Sequence, residues 1–410
     1  MQLYEISLVA RKLWAKKKWD EYQETKLKKI VDDAVKLYEE PQDSKFEDML
    51  DKGKWKATID RKVNYLLGRA PTCTNAQDKF DALAPLIRES ATGVLLRGSV
   101  IWLVQGDGTS LDPVPSILYD AISVYADATK QEVLATIRKY VDVQIDEATG
   151  AESEIEMFEC YFKGEDGGMV RDTFCYSNPQ LDNEEVLGDL PVFIELNKTG
   201  KAPLFAYGAA ILKAFDNTLK HQDTTVQKNT KPLVEVRGYS GSDDDDLSYA
   251  VEDLSIVKTD GTGGVTIHSR SMDSAAIELW QKRLLLEWNE VMSVVGKENE
   301  LQYAVSGKAM DRLFVDMENS AQELGHVLAQ ALKVYFALLD IDVDIVWNTD
   351  RPTDDAATIS AIAQSRGIVS ERTLLEQHPW VSDVDEEIKR LEAEKVEGFE
   401  DLLDPDEEDV

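Results

Sequence analysis

Apolar residues recur at intervals of three to four residues over long parts of the chain, the spacing that places them on one face of a helix. The pattern predicts helix through most of residues 1–67, with an end at Gly68. It predicts further helices over residues 203–229, 271–295 and 307–339. At about 1.5 Å per residue, the last of these would be on the order of 50 Å long.

Between the helical parts the apolar spacing changes to two residues, the period of a β-strand. Residues 98–178 and 233–269 both show it. In the second region the glycine-rich stretch 259–264 predicts a hairpin that joins strands 254–258 and 265–269. Strands grouped apart from helices in this way predict an α+β fold and not a doubly wound α/β sheet. The strands predicted in the first region are 99–105, 117–125, 132–143 and 155–163, with turns at 106–108, 146–152 and 164–168.

The C-terminal part predicts a small helical module over residues 352–396, followed by an acidic tail that is expected to be disordered. Pro352 begins one helix and Gly367 ends it, Ser370 caps a second helix, and Ser382 begins the last.

The charge balance of the 410 residues is strongly acidic, with 45 Lys and Arg against 78 Asp and Glu and a net charge of −33. Gripping nucleic acid by counterion release needs clustered basic residues, so the balance argues against a nucleic-acid-gripping surface. Residues 11–29 are locally basic, which is typical of a solvated helix face and also of a helix that seeks a membrane or DNA. No run of about 18 apolar residues occurs, so no membrane span is predicted.

Motifs of catalysis and of cofactor binding are missing from the sequence. The 3 cysteines form no CxxC pair, and the 4 histidines do not stand at metal-ligand spacing. The glycines of 261–264 lack the Lys-Ser/Thr of a phosphate-binding loop, and no GxSxG is present. We therefore expect no catalytic residues, no resident metal and no cofactor, and an assembly or scaffolding role becomes the leading class.

Four consecutive aspartates, Asp243, Asp244, Asp245 and Asp246, are the one acidic cluster that invites a metal hypothesis. They lack the alternating spacing of a calcium loop, and serine and glycine surround them, which favours a solvated turn. A metal-dependent nuclease stays open as an alternative function, and so does a monomeric virion adaptor protein.

Several short motifs stand in order along most of the chain, and their common order carries more weight than any single one. The motifs are VNYLLGRAP (63–71), the strand 98–105 with its turn Gly106-Asp107-Gly108, LPVFIELNKTG (190–200), Ser306-Gly307-Lys308-Ala309, RPTD (351–354), GIVSERT (367–373) and EEIKRLE (386–392).

Together these motifs resemble the portal proteins, or head-to-tail connectors, of tailed bacteriophages, and most of all the branch in which SGxA opens the tunnel helix. The resemblance implies a portal-type fold with an α/β wing, a two-helix stem, a small β-containing clip, a long tunnel helix and a short helical crown. It divides the chain into wing (1–202), stem helix 1 (203–229), clip (230–270), stem helix 2 (271–295), tunnel loop (296–306), long wing helix and following strand (307–350), and crown with acidic tail (351–410).

The resemblance also implies a function without enzymatic activity. Such chains form a ring, typically of twelve subunits, at one capsid vertex, where double-stranded DNA passes during packaging and ejection. The implied partners are the major capsid and scaffolding proteins, the terminase large subunit, which would hydrolyse ATP in place of this chain, and a head-completion or adaptor protein. Assembly would take place in the host cytoplasm, without a membrane.

Three groups of residues receive roles from the resemblance and from the charge pattern. A ring lined with negative charge repels phosphate and lets duplex slide, which fits the acidic balance. The tunnel-loop group is Lys297, Glu298, Asn299, Glu300, Gln302, Tyr303 and Ser306; the clip group that faces the motor is Asp243–Asp246; and the stem-packing group is Ile277, Trp280, Leu284 and Trp288. We expect Trp280 and Trp288 to lie on the same broad apolar side of their helix, packed within the chain or against a neighbouring subunit.

Overall fold

The structure, a computed structural model, has an α+β architecture, as the sequence predicted. It divides into two compact units, one of residues 1–294 with 316–350 and one of residues 295–315 with 351–410. The residues that it describes are 2–39, 46–106, 115–126, 132–145, 152–189, 191–197, 202–229, 233–237, 256–259, 262, 264–268, 274–295, 307–350, 355–378, 380–381 and 384–400.

The first unit begins with a helical layer that matches the predicted N-terminal helical region. Its helices are α1 (Leu8–Gln23), α2 (Lys26–Glu39), α3 (Phe46–Leu67), α4 (Gln77–Ala82) and α5 (Ala84–Arg97). The hydroxyl of Ser7 accepts a hydrogen bond from the backbone N–H of Ala10 at 3.3 Å, which caps α1. The third helix ends at the residue before Gly68, as expected.

Two antiparallel sheets follow the helices. The smaller has the strand order β3-β2-β9, and the larger has the order β4-β5-β6-β7-β8. The turn at residues 164–168 joins β6 to β7, as predicted, with Gly167 at a φ of +84°. The strands are β1 (Thr72–Cys73), β2 (Ser99–Val104), β3 (Ser116–Leu118), β4 (Ala121–Tyr125), β5 (Val133–Ile145), β6 (Glu152–Lys163), β7 (Met169–Cys175), β8 (Asn183–Gly188) and β9 (Val192–Asn197).

The single strand predicted over residues 117–125 is wrong, because this stretch forms β3 and β4 in different sheets. The chain turns at Tyr119 and Asp120, and the carbonyl of Asp120 accepts a hydrogen bond from the N–H of Lys139 at 2.9 Å. The alternation of apolar residues continues through the turn, so periodicity alone does not reveal the change of sheet.

Helix α1 covers one face of the five-stranded sheet and forms its core. Ala15 and Trp19 pack among Ile137, Phe158 and other buried side chains of β5, β6 and β7. The ring of Trp19 meets that of Phe158 edge-on, with centroids 5.8 Å apart. Burial of these side chains against the helix stabilises the sheet, because each removes apolar surface from water.

A buried charge pair fastens the same helix to the sheet. The guanidinium of Arg11 donates to both carboxylate oxygens of Asp172 on β7, and also to Glu184 on β8 and to the carbonyl of Ile6. Both Arg11 and Asp172 are buried. Desolvation raises the pKa of Asp172 to about 6, although the Arg11 cation opposes that rise.

The chain then forms two long helices separated by a small sheet. The helices are α6 (Phe205–Asn229) and α7 (Ser274–Val291), and the strands are β10 (Leu233–Arg237), β11 (Ile256–Thr259) and β12 (Gly264–His268). The predicted hairpin of the last two strands is wrong, because both pair with β10, one parallel and one antiparallel. The short glycine-rich stretch suggests direct pairing, yet the two strands that flank it lie on opposite sides of β10.

The longest helix, α8 (Gly307–Leu338), confirms the prediction for residues 307–339, and β13 (Ile345–Val346) pairs with β1. The second unit contains α9 (Asp355–Gln364), α10 (Glu371–Glu376) and α11 (Val384–Glu400). Ser370 caps α10 as predicted, with its hydroxyl 3.2 Å from the N–H of Thr373. The tail expected to be disordered from residue 397 is helical up to Glu400, and the residues beyond it lie outside the described part.

Candidate functional site

Helices α6 and α7 pack against each other in antiparallel directions. At one end of the contact Gly208 faces Met292, and at the other end Gln281 donates a hydrogen bond to Gln222 at 2.6 Å. Between Gly208 and Gln222 the contact runs for about 21 Å at the helical rise. Leu212 and Leu284 are buried between these ends, so the two helices form one paired element.

Two side chains of α7 approach the backbone of α6 closely at Gly208. A Cβ added there would lie 1.9 Å from Met292 Cε and 3.0 Å from Trp288 Cζ3. Glycine inside a helix costs about 0.5–1 kcal/mol relative to alanine. Its presence here is therefore explained by the space that the two large side chains of α7 occupy.

A cluster of aromatic side chains fastens this pair to α3. Trp288 is only 1% exposed, and its indole Nε1 donates to Thr58 Oγ1 at 3.2 Å. Its ring meets that of Trp55 at a centroid distance of 6.4 Å, and Trp55 in turn packs against Phe205 at 5.1 Å. The C-terminal part of α7 and the first turn of α6 therefore both pack on α3 through this buried aromatic cluster.

The end of α7 is held by a second buried group. Lys62 on α3 is buried, and its ammonium donates to Ser320 Oγ at 2.7 Å and lies 3.5 Å from the carbonyl oxygen of Ser293. Ser293 has a φ of +49°, which turns the chain out of the helix. The buried ammonium therefore ties the residues just after α7 to α3 and to α8.

The four predicted stem-packing residues differ in how deeply they are buried. Leu284 and Trp288 are buried within the chain, Ile277 is half-buried, and Trp280 is 49% exposed. Eight residues along a helix turn the side chain by about 80°, so the two tryptophans lie on one broad side of α7 and differ in how far the chain covers them. Leu279 and Leu286 are also exposed and lie on a different side of the helix, about 100–120° from Trp280.

The other predicted site residues lie outside the described residues. This holds for the tunnel-loop residues Lys297, Glu298, Asn299, Glu300, Gln302, Tyr303 and Ser306 and for the clip residues Asp243, Asp244, Asp245 and Asp246.

Sequence reasoning missed Gly208, Trp55, Thr58 and Lys62. One signal was available, namely a glycine inside an otherwise strong helical pattern, which marks a close packing contact. The partners of Trp55 and Lys62 lie more than 200 residues away in the chain, at Trp288 and Ser293, and no local pattern indicates them.

The described residues contain no group of three or more His, Cys, Asp or Glu side chains placed to hold a metal ion. The three cysteines, Cys73, Cys160 and Cys175, are buried and unbridged. Burial raises the pKa of the Cys73 and Cys160 thiols, which keeps them protonated and unreactive. Of the helices described, none is long and apolar enough to cross a membrane.

Two comparisons with known proteins give results for this chain. The model of the family described as phage portal protein, SPP1 Gp6-like, matches residues 118–399. The portal protein of Bacillus phage SPP1 is 21% identical over an alignment of 380 residues, and the match covers 83% of this chain and 74% of that protein. The family match spans the five-stranded sheet, the α6–α7 pair and the long helix α8.

Proposed function

We propose that this chain, which belongs to the SPP1 Gp6-like family of phage portal proteins, closes into a ring of twelve subunits that conducts double-stranded DNA. As a phage portal protein it is a component of the virion capsid. In the proposal the ring nucleates head assembly with the scaffolding and major capsid proteins in the host cytoplasm. It then binds the terminase large subunit during packaging and a head-completion or adaptor protein afterwards.

The observation that carries the proposal is the family match across the paired helices and the long helix that follows them. The arrangement of the pair supports it. Trp288 fixes α7 to α6 and α3, while Leu279, Trp280 and Leu286 of the same helix remain exposed. A rotationally closed ring needs such surfaces, because each subunit must contact a different surface of the next.

The domain assignment is part of the same proposal. In it α6 and α7 form the stem, β10–β12 form the clip, residues 296–306 line the tunnel and residues 351–410 form the crown. The chain has no catalytic role in this scheme, and a separate terminase hydrolyses ATP.

Native mass spectrometry and negative-stain microscopy of the purified chain test the proposal. We expect rings with a central hole and a mass of twelve subunits. Solitary chains with and without capsid components would favour the monomeric adaptor. Tight, stoichiometric magnesium binding by calorimetry, abolished by replacing Asp243–Asp246 with asparagine, would favour the nuclease.

Replacing the exposed Trp280 with alanine is expected to reduce the fraction of chains in rings at least tenfold. The reason is that a large aromatic side chain at the centre of a contact carries much of its binding energy. Native mass spectrometry measures the fraction, and Trp380→Ala, which removes an even more exposed tryptophan in the second unit, is the matched control. A ring fraction equal in the two variants would contradict a stem contact through Trp280.

Reversing the charge of Glu298 and Glu300 together to lysine is expected to slow DNA packaging several-fold. Added cations in the tunnel would hold phosphate that the carboxylates repel. Packaged DNA per head, measured by nuclease protection at two salt concentrations, checks this, and the neutral Glu298→Gln/Glu300→Gln pair is the control. Equal packaging by all three forms would show that the charge of this loop does not matter.

A further inference from the structure

The β5–β6 hairpin extends beyond the five-stranded sheet. Strand β4 pairs with β5 only as far as Arg138, and β7 pairs with β6 only from Met157 onward. Residues 141–145 and 152–156 continue to pair with each other, as a two-stranded segment that we call the ribbon. Two strands alone are marginally stable in water, so the ribbon gains from a surface to pack on.

One face of the ribbon combines an apolar row with an acidic row. Val141 is paired with Glu156 and Val143 with Glu154, and directly paired residues project to the same face. Both valines are 52% exposed, and both glutamates are exposed. This face continues the one that α1 covers at Ile137 and Phe158, so the sheet carries apolar side chains beyond the end of its covering helix.

The chain carries a complementary stripe on the outer face of α1. Val9 and Leu13 are 69% and 65% exposed, and Lys17 follows four residues later with its side chain exposed. Residues four apart on a helix rise by about 6 Å, and residues two apart on a strand by about 6.7 Å. Two apolar positions on the helix therefore match two on the ribbon, with the lysine next to the acidic row.

We propose that the ribbon of one subunit docks on the α1 stripe of the next subunit, an inference that rests on the proposed ring. Val141 and Val143 pack on Val9 and Leu13, and Glu154 faces Lys17, since Glu156 already pairs with Lys139 of its own chain at 2.6 Å. The partner is a second copy because this chain supplies the matching apolar and basic stripe, which extends into residues 11–29, where 8 Lys and Arg stand against 3 Asp and Glu. The two surfaces differ, so the contact is heterologous and can close into a ring.

Disulfide trapping in the full chain tests the contact. Val143→Cys combined with Leu13→Cys, oxidised with copper phenanthroline, is expected to link most chains into a ladder that extends beyond dimers. Leu13→Cys combined with Val346→Cys, at an exposed position elsewhere in the same unit, is the control and should give no ladder. The native cysteines are buried and do not compete.

A charge exchange provides a second test that does not depend on a cross-link. Glu154→Lys and Lys17→Glu should each lower the ring fraction several-fold, and the two together should restore it to within about twofold of the parent. Rings that form without the disulfide ladder and without rescue by the double charge exchange would contradict the docking. They would not contradict the proposed portal role. A cross-link from Val143 to capsid protein would also overturn the docking, and solitary chains in every condition would overturn both proposals.

Discussion

Replacing Trp288 with alanine is expected to lower the free energy of unfolding by about 3–5 kcal/mol, the range measured for deleting large buried aromatic side chains. The indole is 1% exposed and contacts α3 at Trp55 and Thr58 and α6 at Gly208. Its removal leaves a cavity between α3, α6 and α7 that the rigid ring of Trp55 cannot fill. Thermal and denaturant midpoints followed by circular dichroism measure the effect.

The control for this prediction is Trp280→Ala on the same helix. At a concentration where native mass spectrometry shows dissociated chains, Trp280→Ala should leave the midpoint close to that of the parent. The two tryptophans then separate two roles, because loss of Trp288 weakens the chain and loss of Trp280 weakens the ring. Equal losses of midpoint in the dissociated chains would contradict this division.

The variant Trp288→Phe separates the contribution of aromatic packing from that of the hydrogen bond. Phenylalanine keeps an aromatic ring in the cluster but loses the hydrogen bond to Thr58 Oγ1. Thr58 itself remains satisfied, because its hydroxyl donates to the carbonyl of Lys54 at 2.9 Å. A loss of about 1–2 kcal/mol is expected, from one hydrogen bond and a modest loss of packing.

The helices were predictable because their apolar stripes are long and regular. The sequence predicted residues 203–229 and 307–339, and the structure has Phe205–Asn229 and Gly307–Leu338. A stripe over more than twenty residues contains several turns, so local irregularities do not obscure it. The turn at 164–168 was predictable for a different reason, since glycine supplies the positive φ at Gly167.

Strand pairing was less predictable, because alternation shows that a strand exists and not which strand it contacts. The strands β11 and β12 stand near each other in sequence, yet each pairs with β10. The same limit applies to the helix faces. An apolar stripe shows which side of α7 avoids water, and only the fold shows that α3 covers Trp288 while Trp280 is left exposed.

The Arg11–Asp172 pair also lies beyond local sequence reasoning, since 161 residues separate its members. From the sequence alone, a single arginine in a basic helix is expected to be one of many solvated charges. The fold instead buries it against a carboxylate in the sheet, where its contribution to stability depends on the partner being present.

Replacing Arg11 with methionine is expected to destabilise the first unit by about 3–5 kcal/mol at pH 8, because it leaves a buried carboxylate without its cation. Desolvation already raises the pKa of Asp172 to about 6 in the parent, and removing the guanidinium raises it further. A carboxyl whose folded pKa exceeds its unfolded value stabilises the fold as it takes up a proton, so stability is regained as pH falls. The loss relative to the parent should therefore shrink between pH 8 and pH 5, which denaturant midpoints across that range measure.

The double variant Arg11→Met/Asp172→Leu separates loss of the pair from loss of one partner. Replacing both charges by apolar side chains should restore most of the stability at pH 8 and abolish the pH dependence, because no buried carboxylate remains. Glu184 is half-exposed and turns to water when the guanidinium is gone. Lys333→Met, which breaks an exposed ion pair with Asp344, should leave the midpoint close to the parent's. An Arg11→Met loss that does not change between pH 5 and pH 8 would mean that packing of the arginine stem, and not its charge, holds α1 on the sheet.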